Sequence, residues 1–251
     1  MKTIKLFTYI DRPSAILKLW LDYYIKTVNN LEITILQRNS KTFNIDDFIK
    51  KHKYSNVNTI SINNQILNHS NFMIDDAIFT KYQNLFLQTH NIVMYADIDE
   101  FIVHQNINEL LNSNFNTCLV TTGIEIVQDL KNESHFSYTK RINDQRKYMI
   151  YSKWYNKPLI LNSSITWNSG KHNYNKYNNY VDGLYLIHFG KICLATYESL
   201  WKETIRLYSN NLVDKLDLRK NYITHFTDVN HPEQPVIPID SKIKKLLDLI
   251  L

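Results

Sequence analysis

Asp97, Asp99 and Glu100 follow directly on an apolar run, residues 92–96 (IVMYA), in a chain of 251 residues. Two carboxylates two positions apart would lie on one side of a strand that simply continued. Held that close they repel one another, and a divalent cation relieves the repulsion. Mg²⁺ and Mn²⁺ prefer oxygen ligands and keep coordination positions for substrate phosphates. A metal at this place would stabilise the charge that develops on a departing diphosphate. The same three acids also suit a plain acidic turn closing a strand. The metal reading draws its weight from where the acids stand.

The elements before them supply that position. Residues 4–10 (IKLFTYI) read as a buried strand, and Asp11-Arg12-Pro13-Ser14 punctuates it. Leu17, Trp20, Leu21, Tyr24 and Val28 recur at helical spacing. Residues 31–36 and 57–62 are further strands. Residues 43–51, and the stripe Ile74, Ile78, Tyr82, Leu85 and Phe86, are helices. Strand and helix thus alternate up to residue 96, which predicts an α/β chain with a parallel sheet and right-handed crossovers. Ligands of such sheets sit outside the carboxyl ends of the strands. Tyr9 and Asp11, at the end of the first strand, are therefore expected to share a crevice with Asp97 and to bind substrate. Asp11 would contact a base or ribose, or cap the next helix.

The second half is less regular. Residues 118–126, 148–154 and 183–189 read as strands, 168–179 as a polar loop rich in Asn and Tyr, and 199–208 as a helix. Pro232, Pro235 and Pro238 then break the chain. Beyond them Ile243, Leu246, Leu247 and Ile250 form an apolar stripe beside Lys242, Lys244 and Lys245. Such a helix packs on its own domain, on a second subunit, or on an anionic membrane surface. The expected organisation is a domain over 1–225, made of two halves at 1–104 and 105–225, and a tail at 226–251.

The composition fits a globular domain: 44% hydrophobic and 21% charged residues. The net charge of +5 is too small and dispersed to predict nucleic-acid binding. Cys118 and Cys193 have no ligand spacing and are expected to be reduced thiols. No signal segment or membrane span is evident, which predicts a cytoplasmic protein, with peripheral contact at the inner membrane surface through the basic C-terminal helix as one option.

Tyr95-Ala96-Asp97-Ile98-Asp99-Glu100-Phe101-Ile102 resembles the Asp-x-Asp-Glu-Phe signature of the family-2-like and family-92-like GT-A glycosyltransferases. Trp20-Leu21-Asp22-Tyr23-Tyr24 resembles their early helix, Lys157-Pro158-Leu159-Ile160 and Gly170-Lys171-His172-Asn173 their Lys-Pro-x-Ile … Gly-x-His stretch, and Leu186-Ile187-His188-Phe189 their Leu-x-His-Tyr/Phe strand. The likeness spans about residues 4 to 208. It departs at Asp11-Arg12, where the family has Asn-Glu.

The resemblance implies the GT-A (nucleotide-diphospho-sugar transferase) fold, a mixed, mostly parallel sheet flanked by helices. It implies a sugar transferred from a nucleotide sugar, UDP-linked by preference, to a glycan or other hydroxyl acceptor, with Mn²⁺ or Mg²⁺ on the donor diphosphate. Asp99 would ligate the metal, Asp97 the metal or the ribose, and His188 would complete the shell, unless it is a His satisfied inside the core. Lys157 and His172 would contact phosphate or acceptor hydroxyls, or lie at the surface. By the same resemblance residues 1–104 would be the nucleotide-sugar half and 105–225 the acceptor half. An inverting enzyme also needs a carboxylate base; Glu125 and Asp182 are the candidates in the acceptor half, ahead of Asp129. Trp154 and Trp167 would stack on sugar or pack in the core. The competing functions are a metal-dependent phosphohydrolase or nuclease, and a non-catalytic carbohydrate-binding relic of the fold.

Overall fold

The computed structural model describes residues 1–10, 15–38, 44–62, 76–167, 171, 177–190, 192–193 and 235–250. The first half is the expected alternation: β1 (Ile4–Ile10), α1 (Leu17–Thr27), β2 (Leu31–Arg38), α2 (Ile45–His52), β3 (Val57–Ile62), α3 (Asp76–Leu87) and β4 (Ile92–Tyr95). These strands lie in the order β4-β1-β2-β3 and every pairing among them is parallel. Both faces of such a sheet are covered, so its central strands are runs of apolar residues rather than alternating ones. β1 and β4 are accordingly buried along almost their whole length. The Asn44 side chain starts α2 by accepting from the backbone N–H groups of Asp46 and Asp47.

The second half turns the sheet mixed. β5 (Glu100–Val103), α4 (Ile107–Asn112), β6 (Cys118–Val127), α5 (Ile142–Gln145), β7 (Tyr148–Tyr151), β8 (Pro158–Leu161), β9 (Tyr180–His188), β10 (Ile237–Pro238) and α6 (Ser241–Leu247) follow. β8 is inserted antiparallel between β4 and β6, and β7 and β10 extend the antiparallel edge. β9 runs parallel to β6 and antiparallel to β5. Its last residue, His188, is thereby registered against Glu125 on one side and Glu100 on the other. Three distant segments meet at one imidazole.

α1 explains how β5 is held. Among the described residues β5 pairs only with β9, which leaves one edge of backbone groups to satisfy. The helix supplies the partners. Trp20 Nε1 and the Tyr24 hydroxyl donate to the Glu100 carbonyl at 3.1 and 3.2 Å, and Ile102 N–H donates to the Tyr24 oxygen at 2.8 Å. The Tyr23 hydroxyl donates to the Ile102 carbonyl at 2.7 Å. The aromatic triplet is thus a side-chain substitute for a neighbouring strand.

The C-terminal stripe takes the first of its expected packings. Ile243, Leu246, Leu247 and Ile250 are all buried within the chain. α6 is fastened to α5 by Asn143 Nδ2, which donates to the Lys244 carbonyl at 2.9 Å, and by the Arg141–Asp248 pair at 2.7 Å. Its apolar face is consumed at home, so neither a membrane nor a second subunit has it to bind. Within residues 235–250, β10 also adds a strand to the sheet beside β7. The predicted helix at 199–208 lies outside the described residues. Cys118 and Cys193 are free and buried, and among the described residues no helix is long and apolar enough to cross a membrane.

Candidate active site

The strand does not continue through the acids. β4 ends at Tyr95, and Glu100 N–H donates to the Asp97 carbonyl at 2.9 Å, which closes a turn over residues 97–100. The two carboxylates therefore leave the chain in different surroundings rather than side by side, as a strand would have placed them.

Asp97 belongs to a lysine-rich side. Its carboxylate accepts from the Tyr95 hydroxyl and from Lys171 Nζ at 3.0 and 3.2 Å, and Lys157 Nζ is 3.6 Å away. Burial alone would raise its pKa, but Lys171, Lys157 and the Tyr95 hydroxyl outweigh it and hold the carboxyl well below the usual range. Lys171 sits at a φ of 61°, with its ammonium over the Tyr95 and Phe79 rings at 4.2 and 4.5 Å. Burial pulls its pKa below that of an ordinary lysine. Lys157 is 3% exposed and makes a direct ion pair with Glu100, itself 1% exposed. Burial opposes the Lys157 charge, and the Glu100 and Asp97 carboxylates more than restore it. Glu100 also accepts from Asp97 N–H at 3.2 Å, so it braces the turn from beneath.

Asp99 belongs to a histidine side. Its Oδ2 lies 3.4 Å from His188 Nε2, and its carbonyl accepts from Phe189 N–H at 2.8 Å. His188 Nδ1 is 2.9 Å from Glu125 Oε2. Gly190 N is 3.3 Å from the same Nδ1. A ring nitrogen that donates to a carboxylate has no lone pair left to accept with, so Glu125 sets the ring. Burial would depress the His188 pKa, but Glu125 and Asp99 carry it well above the usual value. Asp99 is lowered in turn, with His188 overcoming the cost of burial. The Tyr155 ring stacks on the imidazole at 4.1 Å, and a Cβ at position 190 would lie 2.2 Å from His188 Cε1. The ring is clamped on three sides.

Asp97, Asp99, Glu125, Lys157 and His188 are thus brought together. Tyr9 is half-buried two residues past Phe7, the partner of Tyr95, which puts it level with the acidic turn. Asp182 is not gathered. It lies six positions ahead of His188 on β9, about 20 Å of extended chain, with its side chain 97% exposed and paired with Lys242 at 3.2 Å. Glu125 is close to the centre but 2% exposed, with its carboxylate on His188, so it orients the ring and does not face an acceptor hydroxyl as a base. Asp11 and His172 lie outside the described residues. The sequence reading gave no role to Lys171, Tyr95 or Tyr155, although the first two stand inside the quoted motifs.

Can this donor set hold a divalent cation? Asp99 and His188 offer an oxygen and a nitrogen close enough to share one ion, and Glu125 orients the imidazole from behind as metal-bound histidines require. Among the described residues no group of three or more His, Cys, Asp or Glu is arranged to hold a metal ion, so the protein would supply two ligands here. Two such ligands would leave positions on a hard divalent cation for phosphate oxygens and water. A separate cleft of about 710 Å³ opens at the other end of β6 and β9, beside Asn116, Tyr177 and Asn179. Among the described residues its lining has no Asp, Glu, His, Lys or Arg.

No family model matches the chain, and no curated protein does. Among solved structures, S. aureus TarS 1-349 is similar over 75% of this chain and 60% of its own length, at 9% identity and a TM-score of 0.40. TarS 1-349 in complex with UDP matches over 64% and 46%, at 10% identity and 0.34. The glycosyltransferase GlyE of Streptococcus pneumoniae TIGR4 matches over 53% and 32%, at 12% identity and 0.30. The chain spans less than two thirds of the length of each. At such identities and TM-scores the likeness assigns neither activity nor substrate to this chain.

Proposed function

We propose that the chain is a metal-dependent GT-A glycosyltransferase that moves a sugar from a nucleoside-diphosphate sugar, UDP-linked by preference, to a hydroxyl of a glycan or related acceptor. The observation that carries this reading is the Asp99–His188 pair at 3.4 Å, backed by Glu125 and flanked by two buried lysines at the end of a parallel sheet. Asp99 and His188 would hold Mn²⁺ or Mg²⁺. When bound, the metal supplies positive charge against the departing diphosphate. Glu125 keeps the His188 Nε2 aimed at Asp99. Lys157 holds Glu100, and through it the turn, in place. Lys171, hydrogen-bonded to Asp97, is the cation that can exchange a carboxylate for a donor phosphate. Tyr155 walls the imidazole on the acceptor-half side. A two-metal phosphohydrolase would call for more converging acids than this turn gathers.

The test is release of UDP from UDP-sugars with Mn²⁺ and with EDTA. EDTA should abolish it, and Asp99→Ala should lower it about a hundredfold or more, the scale of losing a main stabiliser of transition-state charge. Full Mn²⁺-dependent activity in Asp99→Ala would reject this site, and inorganic phosphate as the sole product would reject the transferase.

A further inference from the structure

Two Asn-rich stretches have no role in the acidic turn: residues 112–117 (NSNFNT) and the end of the polar loop, residues 177–179 (YNN). The fold brings them together. They lead into β6 and β9, which are parallel neighbours, and they line the cleft of about 710 Å³ at that end of the two strands. Small-molecule sites span roughly 300–1,000 Å³, so the cleft has room for a ligand.

One part of this lining is structural. Asn179 Nδ2 donates to the Cys118 carbonyl at 2.9 Å, and the Asn179 carbonyl accepts from Val120 N–H at 2.9 Å. Asn162, one residue beyond β8, holds the same stretch. Its Nδ2 donates to the Phe115 carbonyl, and its N–H donates to the Thr117 carbonyl at 3.0 Å. Between these anchors Cys118 N–H donates to the Asn116 carbonyl at 2.7 Å, across Thr117, whose φ is 60°. A β-branched residue avoids left-handed backbone. Such a conformation persists only where the surroundings over-determine it, and the asparagine bonds do so here. The floor of the cleft is therefore fixed in shape.

The other part is unused. Asparagine favours turns because its side chain bonds the nearby backbone. Asn114, Asn116 and Asn178 do not use theirs in that way. All three line the cleft and are exposed, and among the described residues their amides bond to no other group of the chain. Each amide offers two donors and an acceptor. Phe115 and Tyr177, half-buried against the core, supply apolar wall. One charge stands at the edge: the Lys2 ammonium donates to the Ser113 carbonyl and lies 5.6 Å from the centre of the Phe115 ring.

We propose that this cleft binds an oligosaccharide, at a site separate from the acidic turn. Sugar hydroxyls both donate and accept, and so do the three amides. A phosphate only accepts, and would leave the amide oxygens unmatched. Glu125 lies seven residues beyond Cys118 on β6, roughly 23 Å of strand, so the two sites are distinct. The inference needs neither a metal nor the transferase reading. Under that reading, it gives a long glycan a second hold on the enzyme.

The probes are tetrasaccharides of glucose (α- and β-linked), galactose and N-acetylglucosamine, and inorganic phosphate. Each is titrated in EDTA without nucleotide, and the asparagine side-chain amides are followed by NMR. At least one tetrasaccharide should shift the Asn114 and Asn178 signals to saturation. Asn114→Ala with Asn178→Ala should weaken that binding about tenfold, read from the Asn116 signal, on the scale of two neutral hydrogen bonds. Asn178→Asp keeps the shape, loses both donors and should weaken it about threefold. Neither asparagine braces the fold, so melting temperatures should be unchanged. Asp99→Ala should bind the tetrasaccharide as the unaltered protein does, which separates this site from the donor site. Four results overturn the proposal: no shift with any tetrasaccharide, equal affinity in the double variant, loss of binding in Asp99→Ala, or larger shifts with phosphate. The last would make the cleft an anion site beside Lys2.

Discussion

Glu125 and His188 are hydrogen-bonded across the parallel pairing of β6 and β9, Oε2 to Nδ1, at 2.9 Å. The two are 63 residues apart, and only this register makes them neighbours. Because Nδ1 is committed to Glu125, Nε2 is the nitrogen left for Asp99 and for whatever Asp99 binds.

That pairing gives the metal-free protein a pH dependence with a definite sign. The folded state raises the His188 pKa above the unfolded value of about 6.5. A raised pKa means that the stabilisation is complete below about pH 6.5 and is lost as pH climbs through the folded value. Melting temperature in EDTA should therefore fall on the alkaline side of pH 6.5. Glu125→Gln removes the nearer carboxylate, so it should lower stability at pH 6 by about 1.5–3 kcal/mol and flatten the alkaline slope. An unchanged slope in thermal melts from pH 6 to 9 would reject the coupling.

Lys157 and Glu100 should be far more costly to separate than to replace together. Lys157→Met strands a buried carboxylate and should cost about 3–5 kcal/mol. Lys157→Met with Glu100→Gln removes both charges and should recover most of that loss. Urea unfolding of the two single variants and the double variant measures the coupling; additive effects would mean that the pair is unimportant to folding.

Tyr24→Phe tests the brace on β5. The hydroxyl accepts from Ile102 N–H and donates to the Glu100 carbonyl, and the latter keeps Trp20 Nε1 as a second donor. The loss therefore falls on Ile102 N–H, at about 1–3 kcal/mol. Hydrogen exchange at the Ile102 amide should accelerate along with the drop in stability. Protection equal to that of the unaltered protein would show that another group takes over.

The parallel half was legible because its signals are local. Residues 4–10 and 57–62 coincide with β1 and β3, since short apolar runs flanked by polar residues have few other uses. The position of the acids at 97 and 99, just past the end of β4, was legible for the same reason. What the sequence could not display is register. Lys157 reads as a surface lysine until Glu100, 57 residues earlier, is seen beneath it. Glu125 reads as a free base until β9 lies down beside β6. β5 was not read as a strand, because its four residues are too few to show a pattern of their own beside the acids. Asp182 was placed by its half of the chain, and the length of β9 took it away from the site.

The acidic turn also has a history within each molecule. Its balancing cations come late: Lys157 follows Glu100 by 57 residues, and Lys171 follows Asp97 by 74. During synthesis from the N-terminus, β1 to β4 can pair while those lysines have yet to be made. A carboxylate such as Glu100 resists burial until its partner arrives, so β5 cannot settle when it first emerges. The parallel half forms a platform early, and the acids stay hydrated above it until β8 and β9 are added. Closure of this site is then the late, long-range event of folding, and a chain stopped short of residue 157 would carry the whole acidic turn with nothing to shut it.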